Sequence, residues 1–244
     1  MKVAVCDYRA GNIRSVEIAM RRLGAELTDD VAGCDLAILP GVGSAASAMD
    51  ALKDQGLDVA LKQRFADGKP ILGICLGLQL MLQSSEEDGG TECLGLLPGH
   101  AYRLREGRIP RIGWAQVDDG AAYYFAHSYA AETPKASAWS DGIVAEARDG
   151  SFLGSQFHPE KSGAAGTVVL GVIAGIALRD FIRAQRPRIA QAIDELLVPA
   201  RHQRCAIGDA TGRRHGLRGD PGIVHHARHQ PLDRKSTRLN SSHV

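Results

Sequence analysis

Cysteine is sparse and unpatterned in this chain: five residues in 244, at positions 6, 34, 75, 93 and 205, with no CxxC pair and no regular spacing. A disulfide framework or a structural zinc site would need such spacing, so neither is expected, and free thiols suit a reducing cytoplasm. Aromatic residues make up only 5% of the sequence, and the formal net charge is +1. That near-neutral total conceals two texts. Residues 201–244 hold nine Lys/Arg against three Asp/Glu, leaving 20 basic and 25 acidic residues in the first 200. A weakly acidic body has no electrostatic reason to bind nucleic acid. Long apolar runs are missing too. The most apolar segment, residues 164–178, has 15 residues and three glycines, short of the ~20 that a membrane-spanning helix needs, and reads as a buried helix. The opening Met1 to Asp7 lacks the apolar stretch and small-residue cleavage site of a secretory signal and reads as a first strand.

What is present is an alternation. Residues 2–7, 35–40 and 70–74 are short apolar runs, each followed by a glycine-containing turn and a helical pattern, with helices expected over about 12–23, 56–67 and 76–84. In the first helix Ile13, Val16, Ile18, Met20 and Leu23 fall mostly on one side. Apolar strands between helices predict an α/β fold, a doubly wound and mostly parallel sheet with helices on both faces. From about residue 101 strand-like pieces come closely spaced, at 101–105, 113–117, 122–127, 143–148 and 152–157, and predict an added antiparallel portion. Helical pattern returns over 166–197 with a break at Pro187. The expected domain is therefore 1–200, and the His- and Arg-rich residues 201–244 read as a disordered tail or as non-native sequence.

The chemistry concentrates at Gly73-Ile74-Cys75-Leu76-Gly77-Leu78-Gln79, where the strand 70–74 must turn sharply into a helix. Glycines two residues either side let strand and helix approach closely while Cys75 is lifted above the sheet edge as a nucleophile. Its place at a helix N-terminus favours a thiolate. A thiol nucleophile needs a base and a group that orients the base. The body offers His100, His127 and His158. His158 closes an apolar strand and precedes Pro159-Glu160, so it stands at a strand end, with Glu160 placed to accept one imidazole N–H and turn the other nitrogen to the thiol. His127 lies inside a strand-like run and is disfavoured as the base. Pro40-Gly41-Val42-Gly43 follows the strand 35–39 and can expose successive N–H groups as an oxyanion hole. It lacks the spacing of a phosphate or dinucleotide loop, so no nucleotide cofactor is indicated, and no metal site is expected.

These motifs together resemble the class I glutamine amidotransferases over about residues 1–165. Within that class, Pro40-Gly41-Val42-Gly43, Ala10-Gly11-Asn12-Ile13, Ile112-Gly113-Trp114, the run from Tyr123 to Tyr129, and Phe157-His158-Pro159-Glu160-Lys161-Ser162 resemble the glutaminase subunit of imidazole glycerol phosphate synthase, of histidine biosynthesis. The resemblance implies a flavodoxin-like fold and hydrolysis of L-glutamine to glutamate and ammonia through a Cys75 thioester, with His158 and Glu160 completing a triad. It implies glutamine binding by Gln79 and the backbone around Ser128 and Tyr129, and oxyanion donors at Gly41, Val42, Gly43 and Leu76. It also implies ammonia delivery to a (β/α)₈-barrel cyclase subunit in a heterodimer, with Asn12 and Lys161 near the interface, and no cofactor. The alternatives are a glutaminase subunit of another class I amidotransferase and a stand-alone Cys-dependent hydrolase. One departure is Ala115, where the family usually has asparagine after Gly-Trp.

Overall fold

The computed structural model describes residues 1–8, 12–118 and 120–175, all within a compact unit, Met1–Ala192. The expected helix beyond 175, its break at Pro187 and the tail 201–244 lie outside the described residues.

A seven-stranded sheet runs in the order Ala136–Ser140, Ile143–Asp149, Phe152–Ser155, Ile71–Ile74, Leu36–Leu39, Lys2–Val5, Glu26–Leu27. The five strands from Phe152–Ser155 to Glu26–Leu27 are parallel, and the other two extend the sheet antiparallel. Alternation along a strand sends neighbouring side chains to opposite faces. Ala37 and Leu39 therefore pack with Met49 and Leu52 of the helix Ala45–Asp54 and Leu61 of the helix Leu57–Ala66. Leu36 and Ile38 pack on the other side with Val16 and Met20 of the helix Ile13–Arg22 and with Leu170 and Ile173, within the helical residues 163–175. Both faces are covered, which is why the central strands are apolar throughout. Each fully buried leucine or methionine in these layers stabilises the fold by roughly 1.5–3 kcal/mol. A four-stranded sheet (Tyr129–Glu132, His100–Arg103, Ser84–Ser85, Thr91–Glu92), antiparallel except where Ser84–Ser85 runs parallel to His100–Arg103, and an antiparallel hairpin (Arg111–Gln116 with Ala122–His127) make up the added portion. Among the described residues no helix is long and apolar enough to cross a membrane.

Several local expectations need correction. The helix after Cys75 is Leu76–Leu80, not 76–84, because Ser84–Ser85 pairs with His100–Arg103 as a strand. Ile18 is exposed although Val16 and Met20 are fully buried, so the first helix buries a narrower stripe than its sequence suggested. Over its described residues, 164–175, the segment expected as a buried helix is amphipathic, with Leu170 and Ile173 buried and Val168 and Val172 exposed. The helix Ala45–Asp54 and the strands Tyr129–Glu132 and Ala136–Ser140 had no counterpart in the sequence reading. For that helix the signals were present: Ser44 accepts from Ser47 N–H as its cap, and Ala45, Ala48, Met49 and Leu52 repeat with helical spacing.

Candidate active site

Cys75 and His158 leave the carboxyl ends of two neighbouring parallel strands, Ile71–Ile74 and Phe152–Ser155, whose last residues are in register. That is where open α/β sheets keep their sites. The Cys75 N–H donates to Ser155 O at 2.7 Å, tying the two strand ends together. Cys75 itself has φ 52° and ψ −107°, a left-handed backbone that a side chain adopts only at a cost of about 1–3 kcal/mol and that typically marks a functional turn. Gly77 makes this turn possible. A Cβ there would sit 1.8 Å from Leu39 O, so the first turn of the helix lies directly on the adjacent strand.

Behind the sulfur lies a buried polar row. His158 Nδ1 is 2.8 Å from Glu160 Oε1, and both side chains are almost wholly excluded from solvent. A short 3-10 turn, Pro159–Lys161, returns Glu160 beneath the imidazole, and Ser162 closes it by donating its hydroxyl to His158 O while accepting from Tyr124 N–H. Asn12 Nδ2 donates to the same Glu160 Oε1 at 2.5 Å. Asn12 was read from the sequence as an interface residue; here its amide is committed to the carboxylate. Burial pushes the His158 ring down, but Cys75 and then Glu160 attract its proton and raise it to about 9. The formed contact with Glu160 secures that upward direction, since His158 Nε2 is buried without a completed hydrogen bond. An imidazole that keeps its proton through neutrality provides the positive charge a thiolate needs beside it.

His127 is the opposite case. Burial, helped by Arg111 and His158, pushes it down to about 4 against the pull of Tyr129 O, to which its Nδ1 binds at 2.9 Å. It is a neutral ring held by its own backbone. The other described cysteines are buried and free: burial raises Cys34 and pushes Cys6 up to about 12 and Cys93 up to about 11, which leaves them poor nucleophiles.

A cavity of about 270 Å³ opens in front of Cys75, lined by Val42, Gly43, Leu76, Gln79, Ser128 and Tyr129 among others. The residues expected to bind glutamine thus share one cavity with the sulfur, as do three of the four expected oxyanion positions. Gly41 does not line it. A Cβ on Gly41 would lie 2.7 Å from Leu76 Cβ and from Tyr8 Oη, so this glycine serves close packing, whereas Gly43, at φ 115°, serves the backbone turn. Gln79 is held from below, its Nε2 donating to Tyr129 O at 2.7 Å and to Gln156 Oε1 at 3.1 Å. Lys161 is exposed, its ammonium 6.0 Å from the Tyr124 ring centroid, and Trp114 meets the same ring edge-on at 6.2 Å. Trp114 and Ile112 are 59% and 55% exposed, a solvent-facing apolar strip on the hairpin.

Sequence reasoning missed Gln156, the Asn12–Glu160 bond and Glu87, which also lines the cavity. Gln156 carried a readable signal. It stands two residues before His158, and strand periodicity puts such positions on one side.

Residues 8–170 match the family described as Glutamine amidotransferase class-I. The chain is 38% identical over 192 residues to imidazole glycerol phosphate synthase subunit HisH of Listeria monocytogenes serotype 4a (strain HCC23), covering 69% of this chain and 92% of that protein. It is 39% identical over 203 residues to the subunit of the same name from Bacillus cereus (strain G9842), covering 71% and 94%. Among solved structures, a glutamine amidotransferase superposes with TM-score 0.60 at 21% identity, covering 71% of this chain and 98% of that one. PurLQS from Thermotoga maritima superposes with TM-score 0.56 at 20% identity, over 72% and 98%. At those identities the two structures speak to the fold alone.

Proposed function

Since this chain belongs to the class I glutamine amidotransferases, and among them to the HisH glutaminase subunits of imidazole glycerol phosphate synthase, we propose that Cys75, His158 and Glu160 hydrolyse glutamine in the cavity described above. The observation that carries the assignment is the buried row Glu160–His158 behind a sulfur that faces a cavity lined by Gln79, Ser128 and Tyr129.

The Cys75 sulfur attacks the side-chain carbonyl of glutamine, and the negative charge gathers on the carbonyl oxygen. Backbone N–H groups of Leu76 and of the Val42–Gly43 loop receive it; a donor of this kind is worth about 10²–10³ in rate. His158 enters with its proton and gives it to the departing nitrogen, so ammonia leaves rather than an amide anion. The ring, now neutral, takes a proton from water, which opens the γ-glutamyl thioester and releases glutamate. Glu160 holds the imidazole in position through Nδ1 and balances its charge.

The ammonia passes to a (β/α)₈-barrel cyclase subunit with which this chain pairs in the cytoplasm. The exposed strip of Ile112 and Trp114 beside Lys161 suits a docking surface. Asn12 is linked to the catalytic carboxylate. Cys75→Ala tests the reading: glutamine-dependent synthesis by the complex is lost while ammonia-dependent synthesis persists. Loss of both activities in a folded complex would refute the division of labour between the two chains.

A further inference from the structure

Gln156 occupies an unusual position. It is fully buried, directly before Phe157-His158, and its amide is used at both ends. Its Oε1 accepts from Gln79 Nε2 at 3.1 Å, and its Nε2 donates to Cys75 Sγ at 3.6 Å, an ordinary length for a hydrogen bond to sulfur. Its own backbone N–H is fixed on Ala145 O at 2.8 Å. Among the described residues the sulfur also meets Ala126 O weakly, at 3.9 Å, and the His158 imidazole, whose proton it attracts. Sulfur is a poor acceptor as a thiol and a far better one as a thiolate, when the bond becomes charge-assisted. An amide fixed at its far end and aimed at the sulfur therefore favours the charged form and restricts its direction.

We propose that Gln156 is a positioning residue that holds the Cys75 sulfur, as the anion, toward the glutamine carbonyl and couples it to Gln79 in the substrate cavity. The inference rests on the reading of Cys75 as the nucleophile. It separates two jobs. Gln79 retains the Tyr129 carbonyl if Gln156 is removed, so glutamine binding should persist while the sulfur loses its donor.

The test is alkylation of Cys75 by iodoacetamide, followed by mass spectrometry of the Cys75 peptide, with steady-state glutaminase kinetics of the complex with its cyclase. Gln156→Met keeps the volume and removes the amide. Alkylation at pH 7 is expected to fall about tenfold, the loss of one charge-assisted hydrogen bond, with kcat falling alongside and KM near the parental value. Gln156→Glu keeps the acceptor for Gln79 but sets a carboxylate oxygen against the sulfur, so its deficit should exceed that of the methionine variant. It also decides the matter if the methionine variant does not fold. Parental alkylation in either folded variant, or a change confined to KM, would overturn the proposal. Failure of the underlying reading looks different: parental glutaminase activity that survives Cys75→Ala.

Discussion

Glu160→Gln isolates charge from shape at the centre of the site. The amide oxygen can still accept from His158 Nδ1 and Asn12 Nδ2, both of which meet Glu160 Oε1, while the new amino group takes the buried place of Oε2, which has no partner. His158 is raised from 6.5 to about 9 against burial. At 1.36 kcal/mol per pH unit that rise is worth about 3 kcal/mol, so Cys75 and Glu160 together supply more than this. If the carboxylate supplies half, its loss costs about 2 kcal/mol and lowers the ring by at least about one unit. A donor left unsatisfied adds about 1–3 kcal/mol of destabilisation. The sign of the pH dependence follows. A ring raised in the folded state stabilises fully below 6.5, and that stability is lost as pH rises toward about 9. The parent should therefore lose melting temperature over this window more steeply than the variant. With a ring nearer neutrality the leaving ammonia loses its acid for part of the population, and kcat should fall by about 10–10². NMR titration of His158 and glutamate release by the complex measure the two effects. A variant whose His158 still titrates near 9, or whose kcat equals the parental value, would refute this electrostatic account of the triad.

Gly77→Ala places a methyl group 1.8 Å from Leu39 O, a backbone atom in a central strand; strand and helix must separate, and a loss of about 1–3 kcal/mol from overpacking should appear in thermal melting together with reduced Cys75 alkylation. Arg64→Met removes a buried guanidinium that donates to the carbonyls of Val31, Cys34 and Pro70 at 2.8, 3.0 and 2.9 Å. Several buried carbonyls then lose their donor, a loss of about 3 kcal/mol or more, read as a melting point lower by roughly 6–12 °C, with KM for glutamine unchanged. Gly43→Ala meets no atom within 4 Å but must hold φ 115°, so strain alone should turn the loop and lower kcat by about 10²–10³ if its N–H receives the oxyanion; parental kcat would exclude that donor.

The fold was legible where each strand is buried on both faces. Leu36–Leu39 and Ile71–Ile74 are wholly apolar because helices cover both sides, and composition alone carries that fact. The elbow was legible for a related reason: Gly77 cannot carry a side chain against Leu39 O, so close approach is written as residue identity. Elements stabilised by distant partners left weaker traces. Ser84–Ser85 and Tyr129–Glu132 are strands because His100–Arg103 lies between them, and nothing within either segment states that. Leu82 likewise turns away from a helix because its carbonyl accepts from Gly95 N–H at 2.8 Å.

The same distinction governs the site. Cys75 and His158 are separated by 83 positions in the sequence, yet each carries its own local motif, and the parallel pairing of Ser155 with Ile74 is what brings the motifs together. The motif around Asn12 marked the residue but not its role, and Gln156 went unmarked, because an amide is defined by what it touches. Asn12 reaches Glu160 from the start of the first helix, and Gln156 reaches the sulfur from the strand end beside it. One amide thus holds the orienting carboxylate and the other holds the nucleophile, from opposite ends of the row. Buried polar chains of this sort are stable only when nearly every member is satisfied. Here the buried atoms left without a partner in the row are His158 Nε2 and Glu160 Oε2. The first is the nitrogen that must exchange a proton with substrate and whose ring faces Cys75, and the contacts of Asn12 and His158 with Glu160 Oε1 fix the other side of the imidazole.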